Sequence, residues 1–226
     1  MAYHHGSLKE DLLAAAARVV AERGPSGLSL RELARGLGVT HTAPRHHFGD
    51  KRGVLTALAA QGHRLLAGRL GAAGDDFLEA GVAYVRFALD HPGHFAVMFR
   101  PDLVDDGSDE LRQARSRTRS ALLRGAAAYV GSAMEEGGEA EQSTADGAEP
   151  GVAASAVTDA GIAKSTKAGA TDSPAELPPF ALLAWSAAHG MASLALSGAL
   201  SAMGMGSTPE ELTGSARAGL QRLTPS

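Results

Sequence analysis

The clearest structural signal lies in residues 29–51, which read Ser29-Leu-Arg-Glu-Leu-Ala-Arg-Gly-Leu-Gly-Val-Thr-His-Thr-Ala-Pro-Arg-His-His-Phe-Gly-Asp-Lys51. Four apolar residues recur there with the spacing of one helix face: Leu30, Leu33, Ala34 and Leu37. Ser29 can cap this helix, Glu32 can complete a capping box, and Gly38 suits a sharp turn that needs a left-handed backbone. Thr40 is then predicted to cap a second short helix. Pro44 would remove at most the first hydrogen bond of that helix.

The second predicted helix is short, polar and rich in His, Thr and Arg. A Gly turn and an apolar partner helix would hold it against the core while its polar side stays exposed. Insertion of a helix into the major groove of DNA requires this arrangement. The stretch therefore predicts a DNA-binding helix-turn-helix.

The residues Val39 to Lys51, preceded by Leu33-Ala34 and Leu37-Gly38, resemble the helix-turn-helix of the TetR family of transcriptional regulators. The segments Tyr3-His-His-Gly-Ser-Leu8 and Trp185-Ser-Ala-Ala-His189-Gly190 further resemble the branch whose C-terminal domain is named for a Trp-His-Gly signature. The resemblance implies a helical ligand-binding and dimerisation domain behind the DNA-binding unit. It also implies a homodimeric repressor that binds a palindromic operator and is released by a small-molecule effector.

The resemblance also indicates which residues meet double-stranded DNA. They are Ser29, Thr40, His41, Thr42, Arg45, His46, His47 and Lys51. Hydroxyl groups and free N–H groups at helix starts bind phosphates, and side chains at the start of a recognition helix reach base edges. Arg45 departs from the family pattern, which usually has Tyr at this position, so the DNA preference there is not predictable from the family.

The composition bounds the fold and the cell compartment. The 226 residues are 44% hydrophobic but only 4% aromatic, which favours an all-α core of Leu, Ala and Val. With no Cys, the chain has no disulfide, thiolate zinc site or thiol nucleophile. No stretch approaches the roughly 20 uninterrupted apolar residues of a membrane span, and the N-terminus lacks an apolar signal core. We therefore expect a cytoplasmic protein without membrane contact.

The charge is unevenly distributed along the chain. Residues 1–55 carry eight Lys and Arg against five Asp and Glu, a net charge of +3, although the whole chain has −4. The remainder, with 13 basic and 20 acidic residues, therefore carries −7. The basic end contains the helix-turn-helix, as expected if one face meets phosphates.

The pattern divides the chain into a DNA-binding domain over residues 1–52 and a helical ligand-binding and dimerisation domain over 53–226. Residues 137–172 lose the helical pattern and are rich in Gly, Ala, Ser and Thr, which predicts a disordered insertion. Two C-terminal helices follow, one predicted from Phe180 to about Leu200 and one that a capping box of Thr208 and Glu211 opens, and they have more apolar surface than one chain can cover. They predict a homodimer through a four-helix bundle.

The candidate effector-binding residues are Phe87, Phe95, Met98, Phe99, Trp185 and His189, although each could equally be plain core. His91 and His94 have the spacing of two metal ligands, but acidic partners are missing nearby, so we predict no metal and no cofactor. There is no phosphate-binding Gly loop, nucleophile motif or pair of catalytic carboxylates, so we predict no enzyme and no catalytic residues.

Two functional classes remain. The first is a ligand-responsive, DNA-binding repressor. The alternative is a helical small-molecule-binding protein whose helix-turn-helix is vestigial. Degeneration would have replaced the cationic and hydroxyl positions of residues 40–51, and these are intact, which favours the repressor.

Overall fold

A computed structural model describes residues 5–142 and 178–223. Within these ranges the chain forms helices and no strand, which confirms the predicted all-α class. The helices are α1 His5–Arg23, α2 Leu30–Gly36, α3 Ala43–Phe48, α4 Lys51–Ala72, α5 Phe77–Asp90, α6 Pro92–Met98, α7 Asp109–Gln142, α8 Pro179–Leu196, α9 Ala199–Ala202 and α10 Pro209–Leu223. A short 3₁₀ turn, Pro25–Gly27, connects α1 to α2.

Side-chain caps fix where several of these helices begin. The Asp50 carboxylate accepts a hydrogen bond from the N–H of Gly53 at 2.8 Å, and Asp76 caps α5 in the same way. The predicted capping box before α10 is complete, because Thr208 Oγ1 accepts from the Glu211 N–H at 3.2 Å. The Glu211 carboxylate in turn accepts from the Thr208 N–H at 3.1 Å. Each cap satisfies N–H groups that have no partner inside the helix.

Two predicted boundaries were wrong. Helix α7 extends to Gln142, so residues 137–142 of the predicted insertion are helical. Glu, Ala and Gln in this segment are good helix formers and offset the cost of its two Gly. The rest of the predicted insertion lies outside the described residues. A single helix from Phe180 to Leu200 was also predicted, but Gly198, with φ of 76°, separates α8 from α9.

The hydrophobic core has two parts, which meet along α4. The first packs α1, α2 and the N-terminal half of α4 around Leu12, Val20 and Leu58, and it includes Val97 of α6. The second packs the C-terminal half of α4 with α5, α7, α8 and α10 around Leu66 and other residues. The helices of the predicted DNA-binding unit therefore share a core with α6 and with the start of α7.

Helix α8 is long and strongly apolar. Its 18 residues have a mean hydropathy of 1.3, which meets the length and composition of a membrane span. One face packs against α5 and α10, burying Ala184, Ala188 and Ala192. The core helix of a soluble protein has the same composition, so this is weak evidence for a membrane span.

Candidate nucleic-acid interface and ligand site

The turn between α2 and α3 follows from local sequence. Ser29 Oγ accepts a hydrogen bond from the Glu32 N–H at 3.5 Å, as predicted for the cap of α2. The Glu32 carboxylate pairs with Arg23 at 3.3 Å, so only this half of the capping box is seen. After α2, Gly38 has φ of 66° and the N–H of Val39 returns to the carbonyl of Ala34 at 3.0 Å. A left-handed Gly followed by such a bond is a common way to end a helix.

Helix α3 begins later than predicted. The expectation that Thr40 caps it is wrong, because α3 starts at Ala43 and Thr42 occupies the cap position without a side-chain cap bond. A start after Thr40 would place Pro44 where a helical N–H is needed. With the start at Ala43, Pro44 is the second helical residue, at a position where an N–H would have no acceptor inside the helix, so its missing N–H costs no hydrogen bond.

Five of the eight residues predicted to meet DNA lie exposed in the turn and on α3. They are Thr40, His41, Thr42, Arg45 and His46. Pro44 is buried beneath them and anchors the helix. The exposed group combines hydroxyl, imidazole and guanidinium side chains, which can donate to phosphate oxygens and to base edges.

The other three predicted DNA-binding residues are half-buried. Ser29 is engaged as the cap of α2, and Lys51 Nζ donates to the carbonyl oxygen of Ser26 at 2.8 Å. His47 lines a cleft of about 230 Å³ that also includes Lys9 and Asp105. His47 therefore faces α1 and the loop before α7, while its neighbours on α3 are more exposed.

Two α4 residues that sequence reasoning missed tie the DNA-binding unit to the loop before α7. Arg52 Nε donates to the carbonyl oxygen of Val104 at 3.0 Å. Thr56 Oγ1 accepts from the N–H of Asp105 at 2.9 Å and donates to the Arg52 carbonyl at 2.8 Å. Because the partners lie 52 and 49 residues away, no local sequence signal could have revealed these bonds.

The predicted effector residues separate into two groups. Phe87 and Met98 are fully buried in the second core, and Met98 packs closely over Gly62. The other four, Phe95, Phe99, Trp185 and His189, form one aromatic cluster. The ring centroid of His189 lies 4.9 Å from that of Phe99, 5.1 Å from Phe95 and 6.2 Å from Trp185.

Tyr84, which the sequence did not single out, completes this cluster. Its hydroxyl lies 2.8 Å from Nδ1 of His189. Burial raises the pKa of Tyr84 and lowers the pKa of His189, so both groups are neutral near pH 7. Since the Trp185 N–H acts on the Tyr84 oxygen, we assign the Tyr84 O–H as the donor to Nδ1, an assignment that puts the imidazole proton on Nε2.

The indole of Trp185 lies beside the Tyr84 hydroxyl. Its N–H partly offsets the rise in the pKa of Tyr84 but is buried without a hydrogen bond of normal geometry to any described group. A small cavity of about 30 Å³ next to this indole is lined by α5, α7, α8 and α10. It has room for about one water molecule and no larger ligand.

The histidines with metal-ligand spacing are engaged in other contacts. His94 Nε2 lies 3.0 Å from Oε1 of Gln61, and His91 Nε2 lies 3.2 Å from the Arg69 guanidinium. In the described part of the chain, no group of three His, Asp or Glu side chains is arranged to hold a metal ion.

Comparison with solved structures gives the same architecture. A protein of unknown function from Rhodococcus sp. RHA1 is 28% identical with a TM-score of 0.62, over 99% of this chain and 98% of that chain. A tetR-family regulatory protein from Rhodococcus RHA1 is 17% identical, with a TM-score of 0.60 over 96% of each chain. A TetR-family transcriptional regulator from Pectobacterium atrosepticum is 19% identical, with a TM-score of 0.52, over 97% and 93%. At these identities, the last two show the fold alone.

Sequence models of protein families settle the relationship. The model described as bacterial regulatory proteins, tetR family, matches residues 12–58. The model described as tetracyclin repressor-like, C-terminal domain, matches residues 77–218, which is more than half of the chain. No match was found among curated proteins. The helix-turn-helix and the helical domain behind it are thus each recognised, and the chain belongs to the TetR family of bacterial transcriptional regulators.

Proposed function

We propose that the protein is a repressor that binds a palindromic operator as a homodimer and leaves it when a small molecule binds the helical domain. The observation that carries the proposal is the exposed polar surface of the turn and α3, set on a buried Pro44. The regulator acts in the cytoplasm and has no catalytic role. That the chain belongs to the Trp-His-Gly branch of the family stays a prediction.

Arg45 is the residue on which we expect DNA affinity to depend most. It is exposed and makes no ion pair among the described residues, so its guanidinium is available to a phosphate or to a guanine edge. His41, Thr42 and His46 flank it and supply further donors. This arrangement supports contact with DNA through α3, with Arg45 at the position where the family resemblance leads us to expect Tyr.

The surface of α8 supports dimerisation. Leu182, Leu183 and Leu194 are 49%, 56% and 48% exposed, and a β-carbon at Gly190 would meet nothing within 4 Å. Three small residues are exposed on the neighbouring α10: Gly214, Ala218 and Gly219. Leucines around small residues allow a second copy to pack closely and form a four-helix bundle from two α8–α10 pairs. Such a dimer would present two α3 helices to major grooves about 34–36 Å apart.

The DNA-binding proposal is tested on a site selected by the purified protein from random duplexes. We expect a palindromic site whose affinity falls steeply as salt concentration rises, because phosphate contacts release counterions. Arg45→Ala should weaken binding by about 5- to 150-fold, the effect of losing a contact of about 1–3 kcal/mol. Arg124→Ala, which removes an exposed arginine from α7, is the matched control and should bind as the wild type does.

Two results would contradict the proposal. Weak binding indifferent to sequence would favour the small-molecule-binding protein with a vestigial helix-turn-helix. Equal affinity of the Arg45→Ala and wild-type proteins would mean that α3 does not contact the operator.

The dimer is tested separately by sedimentation velocity. Leu183→Glu and Leu194→Glu should each produce monomers, because a carboxylate would be buried without a partner in the bundle. Leu65→Glu places the same charge at an exposed leucine of α4, which is 39% exposed, and should remain dimeric. A dimer that survives both α8 substitutions would place the interface elsewhere.

A further inference from the structure

An open cleft of about 410 Å³ lies between α1, α6 and α8. Its walls include Val20 of α1, Phe95 and Phe99 near α6, and Leu196 of α8, and it also contains His189 and Arg100. Sites for small molecules usually measure about 300–1,000 Å³ and are largely apolar with a few polar groups. The cleft therefore has the size and lining of a ligand site, unlike the nearby cavity of about 30 Å³, which has room for about one water molecule.

The polar groups of the cleft define what it can bind. In the tautomer assigned above, the proton of His189 is on Nε2, and this atom has no hydrogen-bond partner among the described residues. Arg100 is held in a bidentate pair with Asp102, at 2.9 Å and 2.7 Å, so its charge is already balanced. The Ser193 hydroxyl is exposed beside it and makes no hydrogen bond to a described group. The cleft thus offers neutral donors and no unbalanced positive charge.

We propose that this cleft binds the effector and that the effector is an apolar, uncharged molecule with a carbonyl-type oxygen that accepts from His189 Nε2. A carboxylate would lose its hydration against aromatic walls without gaining a free cation, which costs several kcal/mol. A neutral carbonyl loses less and gains the bond that His189 leaves open. The regulatory part of this inference rests on the proposed repressor function, whereas the binding site itself does not.

The position of the cleft explains how a ligand would act on DNA binding. Val20 is a member of the first core, together with the residues that hold α2 and α4, so one wall of the cleft belongs to the DNA-binding unit. Beside the cleft, α1 and α6 touch through their backbones, since a β-carbon on Gly93 would lie 2.0 Å from the carbonyl oxygen of Ala17. A ligand larger than the resting cleft must push α1 away from α6. That movement would tilt the helix-turn-helix relative to the helical domain.

The site is tested with two fluorescent probes, prodan, an uncharged naphthalene ketone, and anilinonaphthalene sulfonate, an anionic naphthalene. We expect prodan to bind with blue-shifted emission and the sulfonate to bind more weakly. His189→Phe keeps the ring but removes the donor and should weaken prodan binding by about 3- to 10-fold. Ser186→Ala, on the same helix and outside the cleft lining, should bind prodan as the wild type does.

Two substitutions fill the cleft from opposite walls. Ala21→Trp on α1 and Ser193→Trp on α8 should each abolish prodan binding while circular dichroism shows an intact helical fold. Agreement between the two variants excludes local damage by one of them. If His189→Phe and both tryptophan variants bind prodan as tightly as the wild type, or if the sulfonate binds more tightly than prodan, the proposal is overturned.

The link to DNA has its own readout. Prodan, and each tryptophan substitution without prodan, should lower operator affinity by about 10-fold or more, as expected for an effector that favours the released state. If neither prodan nor the tryptophan substitutions change operator affinity, the coupling between the cleft and DNA binding is refuted, while the repressor function is not. A protein that binds prodan in the cleft but no operator would refute the repressor function and leave the site standing.

Discussion

Gly93→Ala is the substitution that most directly tests how the two parts of the molecule are joined. The added β-carbon would lie 2.0 Å from the carbonyl oxygen of Ala17 and 2.8 Å from its carbonyl carbon. A carbon and a carbonyl oxygen are comfortable at about 3.3 Å, so α6 must move from α1 by about 1.3 Å. The obstacle is helix backbone, which cannot rotate away as a flexible side chain can.

The expected loss of stability follows from this overlap. Added atoms in a packed region typically cost about 1–3 kcal/mol. Replacing Gly by Ala within a helix returns up to about 1 kcal/mol. Gly68→Ala on α4 is the matched control, because its β-carbon would meet nothing within 4 Å and it gains helix propensity alone. The difference between the two variants isolates the overlap and should be about 1–3 kcal/mol.

Urea denaturation followed by far-ultraviolet circular dichroism measures this difference. We expect Gly68→Ala to unfold at higher urea concentration than the wild type and Gly93→Ala at lower concentration. Equal stability of the two variants would mean that α1 and α6 are not in backbone contact. The argument for coupling between the cleft and the DNA-binding unit would then fail as well.

Three further predictions concern other parts of the fold. Burial lowers the pKa of His63 and of His94 to about 4, below the 6.5 of an unfolded chain. Between the folded and the unfolded pKa, the unfolded state binds more protons than the folded state. The free energy of unfolding should therefore fall by about 2 kcal/mol per histidine between pH 7 and pH 5. A urea midpoint that does not change with pH would contradict this. Arg52→Met removes the bonds to the Val104 carbonyl and should cost about 1.5–3 kcal/mol in the same assay. Thr208→Ala removes the cap of α10 and should lower the free energy of unfolding by about 1 kcal/mol. An unchanged free energy of unfolding would mean that the cap does not stabilise the fold.

The elements that sequence predicted well depend on interactions within a few residues. The Ser29 cap and the turn at Gly38 each join residues at most five positions apart. The start of α3 was predicted wrongly because a favourable cap at Thr40 was weighed without the stronger constraint from Pro44. The C-terminal end of α7 was predicted wrongly because Gly137 and Gly138 were taken as helix-breaking, although the neighbouring Glu and Ala are good helix formers.

The parts of the site that sequence could not predict depend on distant pairs. The Tyr84 hydroxyl meets His189 across 105 residues, and nothing near Tyr84 distinguishes it from other apolar positions on α5. Phe87 and Met98 have the residue types of a pocket but point into the core, because sequence spacing gives a helix face without giving its neighbours. The cleft also needs Val20 from α1, which the sequence pattern assigned only to the DNA-binding unit.

Helix α6 is the element through which the two cores must communicate. Its seven residues place Val97 in the first core and Phe95 and Met98 in the second. A helix of two turns moves as one body, because its internal hydrogen bonds fix the relation between its faces. Any ligand that displaces Phe95 therefore also displaces Val97, against which the DNA-binding helices pack. Close packing makes such a core respond by a discrete repacking, since small voids and overlaps are both costly. The cleft beside α6 is thus well placed to convert the binding of a small molecule into a change in the orientation of α3.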